Sequence, residues 1–107
     1  MKYEVQFISD AEKDINEIYE YVASNDSKFN AEKLIDKLIQ KCSDLDRFPN
    51  RGHKLTELEY LEGKNYLEIH YKPYRIIYRI NERVVFVHCI LDGRRNLNDL
   101  LHQRLLS

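Results

Sequence analysis

The chain has 107 residues, with 17 Lys or Arg against 18 Asp or Glu and a formal net charge of −1. It is long enough for one two-layered domain spanning 1–107 but not for two independent cores. A pI near 6.4 argues against the strongly basic character of a protein that binds nucleic acid mainly through phosphates. The balance conceals an asymmetry: Met1 to Ile69 carries ten basic residues against fifteen acidic, whereas His70 to Ser107 carries seven against three. A basic end on a small fold creates a local field for phosphates or carboxylates. Cys42 and Cys89 both lie in apolar runs, as small buried hydrophobes do, and a reducing cytoplasm is the expected location. No apolar leader or membrane-length run is evident, so no membrane partner is expected. Three Gly and two Pro fit long regular elements rather than disorder.

Residues 2–8 alternate, with Tyr3, Val5 and Phe7 on one side, as in a half-buried strand. Ser9 followed by Glu12 predicts a capping box, after which Ala11, Ile15, Ile18, Tyr19 and Val22 recur at helical spacing. Asp26 or Ser27 then caps a longer helix whose stripe is Ala31, Leu34, Ile35, Leu38, Ile39, Cys42 and Leu45. Two amphipathic helices joined by a few polar residues make an antiparallel hairpin. Pro49 ends the second, and Gly52 offers a turn with positive φ. Residues 55–63 fit no single element. Three strands follow over 66–71, 74–80 and 83–91, separated by Lys72-Pro73 and Asn81-Glu82, which implies an antiparallel meander. Asp92-Gly93 ends the sheet. Asn96 caps a last helix with Leu97, Leu100, Leu101 and Leu105 on one face.

With symmetric turns, Tyr74, Ile76 and Tyr78 share a face with Ile69, Tyr71, Val85, Val87 and Cys89, and that face seats the helical hairpin. The opposite face is expected to be open. It carries cross-strand rows of His70, Arg75 and His88, then Glu68, Ile77 and Phe86, then Tyr66, Arg79 and Val84. Pro73 bears on this register, because an extra loop residue there would flip the strand over 66–71. The fold expected is α+β: an N-terminal strand, an antiparallel helix hairpin packed on a four-stranded, mainly antiparallel sheet, and a short C-terminal helix.

An imidazole titrates near neutrality and a guanidinium forks onto phosphate oxygens, so His70, His88 and Arg75 could hold a phosphate and exchange a proton. Exposed His and Arg are also common on strands that do neither. His53, His70, His88, His102, Cys42 and Cys89 show no paired-ligand spacing, so no metal is expected. The three glycines are too far apart for a phosphate-cradling loop, and no cofactor motif occurs. Arg94 and Arg95 fall in the loop between the last strand and last helix, where a partner can reach them. Arg104, further along that helix, either extends this basic surface or compensates the helix dipole. Tyr66 and Tyr74 could stack on bases or a peptide, although packing is the commoner use.

Residues distributed over essentially the whole chain resemble the RelE/ParE superfamily of bacterial type II toxins. They are Ala11, Asp14, Ile15, Ile18 and Tyr21 in the first helix, Pro49 and Gly52 after the second, the strand Tyr74-Arg75-Ile76-Ile77-Tyr78, and the run from Ile90 through Asp92-Gly93-Arg94-Arg95 to Leu101, Arg104 and Leu105. The resemblance implies a growth-inhibiting, plasmid-stabilising toxin neutralised by a cognate antitoxin that folds on binding. It also implies an apolar groove that favours self-association without the antitoxin.

Two activities divide that superfamily. A RelE-like chain is a ribosome-dependent mRNA endoribonuclease, and the matching catalytic candidates here are Arg75, Arg94, Arg95, His88 and Lys54, with His53 nearby. The C-terminal Tyr common in that branch is missing, because no Tyr follows Tyr78 and Leu101-His102 stands in its region. A ParE-like chain is not an enzyme but poisons DNA gyrase by stabilising its cleaved complex with DNA. The leucine-rich last helix with Arg104-Leu105 is more similar to that branch, which is the favoured reading, with target contacts at Arg94, Arg95, Arg104, Arg75 and Arg79. Asp92 stands where ParE-like chains often carry His, leaving this loop less basic. A third reading is a degenerate, non-toxic binding module.

Overall fold

The computed structural model describes residues 2–60 and 65–106. Its elements are β1 (Glu4–Phe7), α1 (Ser9–Asn25), α2 (Lys28–Ser43), β2 (His53–Lys54), β3 (Tyr66–Tyr71), β4 (Tyr74–Asn81), β5 (Val84–Asp92) and α3 (Asn98–Leu106), with single 3₁₀ turns at Asp44–Asp46, Pro49–Arg51 and Thr56–Leu58. The fold is α+β, as expected, but the sheet has five strands in the order β1-β5-β4-β3-β2. The additional strand is the two-residue β2, whose His53 and Lys54 pair with Glu68 and Leu67 of β3. β1 runs parallel to β5, and the other pairings are antiparallel.

Local signals set the helices, with one exception. Ser27 caps α2 by accepting a hydrogen bond from Asn30 N–H at 3.0 Å, which satisfies an otherwise unpaired first-turn donor. The predicted capping box at Ser9 does not form. Ser9 is already helical, Ile8 is the cap residue, and its carbonyl accepts from Glu12 N–H at 3.1 Å without side-chain help. At α3 the cap position falls to Leu97, whose carbonyl accepts from Leu101 N–H at 2.8 Å, while Asn96, one residue earlier than a cap, still satisfies the first helical amide, its Oδ1 accepting from Asn98 N–H at 3.1 Å.

The β3–β4 turn is the two-residue Lys72-Pro73, with His70 opposite Arg75 and Ile69 opposite Ile76. Pro73 therefore adds no residue. Lys72 takes a φ of 54°, the positive value that the first position of a type II′ turn requires. The next turn is Glu82-Arg83, one residue later than expected, with Glu82 at a φ of 56°.

The decisive departure lies in β5. Ile77 pairs with Cys89 while Tyr78 pairs with Val87, leaving His88 as an extra residue in a β-bulge. Because side chains alternate with a period of two, one inserted residue exchanges the faces beyond it. Val85, Val87 and Ile90 join Ile69, Ile76 and Tyr78 under the helical hairpin, against Ala11, Leu38, Cys42 and Leu45. Cys89 is displaced to the other face, contrary to the symmetric-turn expectation.

That other face is not open. Leu55 and Leu58 from the segment after β2, with Leu97, Leu101 and Leu105 around α3, cover Ile77, Cys89 and Leu91 in a second apolar cluster. The sheet is thus sandwiched between the α1–α2 hairpin and α3 with its preceding loop. The segment that fitted no single element supplies part of this second layer; its residues 61–64 lie outside the described residues.

Gly52 also differs from expectation, since its φ is −77°. Its role is steric: a Cβ there would fall 2.5 Å from the Tyr78 hydroxyl and 2.7 Å from the Glu68 carbonyl. The same hydroxyl accepts from Gly52 N–H at 3.1 Å and donates to the Pro49 carbonyl at 2.6 Å. Tyr78 is fully buried, so these bonds pin the irregular segment after α2 to the middle of the sheet.

Candidate functional site

The predicted arginines divide into two groups. Arg75, on β4, is clamped by acids. Its Nη1 and Nη2 donate to Glu57 at 2.7 and 2.8 Å, and its Nε and Nη2 donate to Glu68 at 2.7 and 2.9 Å. Only 14% of its side chain is exposed. The Arg75 hydrogen bonds hold the Glu57 carboxyl down at about 2. Burial pushes Glu68 up, but bonds from Arg75 and His70 outweigh it and leave that carboxyl below its ordinary value. The carboxylates in turn raise the Arg75 pKa. Two carboxylates facing one guanidinium give this cluster a surplus of negative charge, which disfavours a phosphate.

Arg104 is occupied as well. It donates to both carboxylate oxygens of Asp14 on α1, at 3.2 and 2.9 Å, and to the His88 carbonyl at 3.1 Å. Asp14 is itself buried and accepts from Ile90 N–H at 2.9 Å. Ile90 lies beyond the end of β1, so no neighbouring strand serves that side of β5, and Asp14 satisfies the orphaned amide. Arg104 thus tethers α3 to the opposite helical layer through the end of the sheet. Arg79 donates its Nε to His88 Nε2 at 3.2 Å and lies over the Phe86 ring at 5.0 Å. Burial, then the neighbouring Arg79 and Arg104, pushes His88 down to about 4, so its imidazole is neutral and accepts from Arg79 at neutral pH.

These placements correct the picture of a free cationic face. The expected row of His70, Arg75 and His88 is broken: Arg75 lies opposite Leu91, and His88 groups with Arg79 and Tyr66. Lys54, opposite Leu67, projects from the other side of the sheet from Arg75. The nuclease candidates Arg75, His88 and Lys54 therefore belong to three different environments. The physical causes are the β5 bulge and the acids Glu57 and Glu68.

Arg94 and Arg95 are exposed where β5 gives way to α3. Arg94 shows 74% of its side chain and is tied to Asp92, its Nη2 donating at 2.7 Å. That bond and the Arg94 amide hold the Asp92 carboxyl at about 2. The two arginines rim a cleft of about 420 Å³ between α1 and the ends of β4 and β5, also lined by Asp14, Glu17, Ile18, Tyr21 and Tyr74. Tyr21 is 63% exposed. The cleft offers aromatic surface, a cationic rim and acids on the α1 wall, a combination suited to a protein surface or peptide. Gly93 fixes the rim: its N–H donates to the Pro73 carbonyl at 2.6 Å, and a Cβ there would meet that oxygen and the Arg75 stem at 2.9 Å.

Sequence reasoning missed three features. Glu57 lay in the unassigned segment, with no signal that it reaches Arg75. Glu68 was legible, one row from Arg75 by register, but its bidentate pairing was not. The third is the convergence of His53, Glu68 and His70, whose ligand atoms lie within 4.8 Å of one another. Among the described residues these are the side chains that could hold a metal ion. Tyr60 is hydrogen-bonded to His102 Nε2 on α3, so the His102 region has a phenol from elsewhere in the chain.

The family model for the ParE toxin of the type II toxin–antitoxin system parDE matches residues 5–97. The chain belongs to the ParE toxin family. Among solved structures it is similar to the chromosomal ParDE toxin–antitoxin system of P. aeruginosa, with a TM-score of 0.69 and 14% identity, over 83% of this chain and 94% of that one. The RelBE2 toxin–antitoxin complex of Mycobacterium tuberculosis matches with a TM-score of 0.64 and 20% identity, over 86% and 92%. A mutant E. coli RelE toxin in the free state gives 0.61 and 17%, over 99% and 96%. At such identities these likenesses establish the RelE/ParE-like fold. A search of curated proteins gives no significant sequence match. No helix among the described residues is long and apolar enough to cross a membrane.

Proposed function

We propose that this ParE-family toxin acts in the bacterial cytoplasm as a DNA gyrase poison, through protein–protein contact rather than RNA cleavage, and is neutralised by a cognate antitoxin. The observation that carries this reading is the state of Arg75. A nuclease needs its strand arginine free to neutralise phosphate, whereas this one is held bidentately by Glu57 beside a second carboxylate. Arg94 and Arg95, in contrast, stand exposed at the rim of an aromatic-lined cleft. They are the target contacts proposed here, while Arg75, Arg79 and Arg104 hold the site together from behind. The antitoxin masks the toxin by covering this surface through coupled folding and binding.

Induced expression in a bacterial host separates the readings. A gyrase poison gives filamentation with the DNA-damage response. Rapid mRNA cleavage at ribosomes would instead establish the RelE-like activity, and undisturbed growth with normal protein levels would establish a non-toxic module. For the gyrase reading, Arg94→Ala with Arg95→Ala abolishes toxicity at unchanged protein level.

A further inference from the structure

We propose that His53, Glu68 and His70 form a binding site for a divalent transition metal, of the zinc type, at the β2–β3 edge of the sheet. The site is built by register rather than by sequence spacing. His53 lies directly opposite Glu68 across the β2–β3 ladder, and His70 follows Glu68 by two residues on the same face. One ligand atom from each lies within 4.8 Å of the other two, and the imidazoles meet edge to face at 5.4 Å between ring centroids. Two ligands about 2.1 Å from a tetrahedral ion are roughly 3.4 Å apart, so small rotations of side chains close the site. Both imidazoles are exposed and held by single contacts, His53 Nδ1 at 3.3 Å from the Lys54 carbonyl and His70 Nε2 on Glu68, while the carboxylate between them is buried and fixed by Arg75.

The surrounding charge favours a cation. Glu57 and Glu68 face a single guanidinium, and His70 Nε2 is already 2.7 Å from Glu68 Oε1, where an inserted ion needs only a slight separation of the two. Arg75 becomes the outer partner that orients the ligating carboxylate, through Nη2 to Glu68 Oε2 at 2.9 Å, while its Nε, 2.7 Å from Oε1, shares that oxygen with the ion. Two imidazoles and one carboxylate match the donor set of open zinc sites, with the remaining position facing solvent. Bound metal would cross-link the two-residue β2 to β3, adding a coordinate clasp to the edge of a sheet otherwise held there by two residue pairs.

The full-length chain, stripped with a chelator, is titrated with zinc chloride by calorimetry, and its melting temperature is followed with and without zinc. One ion binds per chain and raises the melting temperature. His53→Gln and His70→Gln each weaken binding by about tenfold or more, while His102→Gln binds as the native chain does. Circular dichroism confirms that the variants are folded, and the exposed His53 supplies the test should the His70 variant not fold. Cobalt(II) gives a weak visible spectrum of nitrogen and oxygen ligation. The proposal is overturned by failure of the native chain to bind one ion saturably, by unchanged affinity in the folded His53 variant, or by an intense thiolate charge-transfer band that assigns the metal to cysteine.

Discussion

Arg75 and Arg94 belong to the same basic third of the chain, yet the fold uses them in opposite ways. Arg75 is withdrawn beneath the second layer and surrounded by two carboxylates, whereas Arg94 leans on one partly exposed aspartate and faces solvent. Partnership decides what an arginine can do. A guanidinium whose donors are committed internally contributes order, because binding anything else first requires breaking buried ion pairs. One at an exposed rim is available to a partner, since water screens a solvated pair and little is lost in breaking it. The positive end of this chain is therefore half scaffold and half exposed rim, the half proposed to meet a partner.

The strongest way to break this contrast is Arg75→Ala. It leaves Glu57 and Glu68 without their counter-ion, and a loss of about 3–5 kcal/mol in urea denaturation is expected. A loss below about 1 kcal/mol would show that Arg75 is as dispensable to the fold as a rim residue. Replacing all three members by apolar residues of similar size should recover much of the loss.

Tyr78→Phe probes the buried scaffold on the hairpin face of the sheet without touching charge. It deprives the Gly52 amide and the Pro49 carbonyl of their shared hydroxyl, and a destabilisation of about 1–3 kcal/mol should appear as a lower urea midpoint.

Acid sharpens the contrast further. The His88 pKa is lowered from 6.5 to about 4 in the folded protein, so between those values the unfolded chain binds more protons. This contribution is complete above about pH 6.5 and is lost as pH falls toward 4. Its limit is about 3 kcal/mol, reduced to about 1–2 kcal/mol because the imidazole is only partly buried. His88→Gln should flatten the decline in urea midpoint across that window. Below it, Glu57 and Asp92, with folded values near 2 against 4.5 and 3.8, protonate and remove the support their ionised forms provide above their unfolded values.

The smallest effect on stability belongs to the rim. Arg94→Ala with Arg95→Ala should leave the urea midpoint essentially unchanged, although toxicity is where this pair is proposed to act. A large destabilisation would place these arginines with the scaffold instead.

Much of this arrangement was legible locally. The α1 and α2 stripes, the Ser27 cap, the pairing of His70 with Arg75 and the position of Arg94-Arg95 in a loop after the sheet all follow from side-chain period and turn chemistry. The resemblance carried by Asp14, the Tyr74 to Tyr78 strand and the Gly93-Arg94-Arg95 run pointed to the family. The Ser9 capping box does not form because α1 begins one residue early, which puts Ser9 inside the first turn rather than at the cap.

The rest of the arrangement comes from contacts between distant segments. The bulge at His88 is one extra residue in β5, and it moves Cys89 to the other face and removes His88 from the Arg75 row. Glu57 reaches Arg75 because Leu55 and Leu58 anchor its loop in the second core. His53 meets Glu68 and His70 because β2 joins the sheet edge, although fourteen residues lie between His53 and Glu68 in the chain. Sequence periodicity determines which way a side chain points within its own element. Whether a charge is then neutralised, exposed or assembled into a site depends on which other element packs above it, a choice made by burial and pairing across the whole fold.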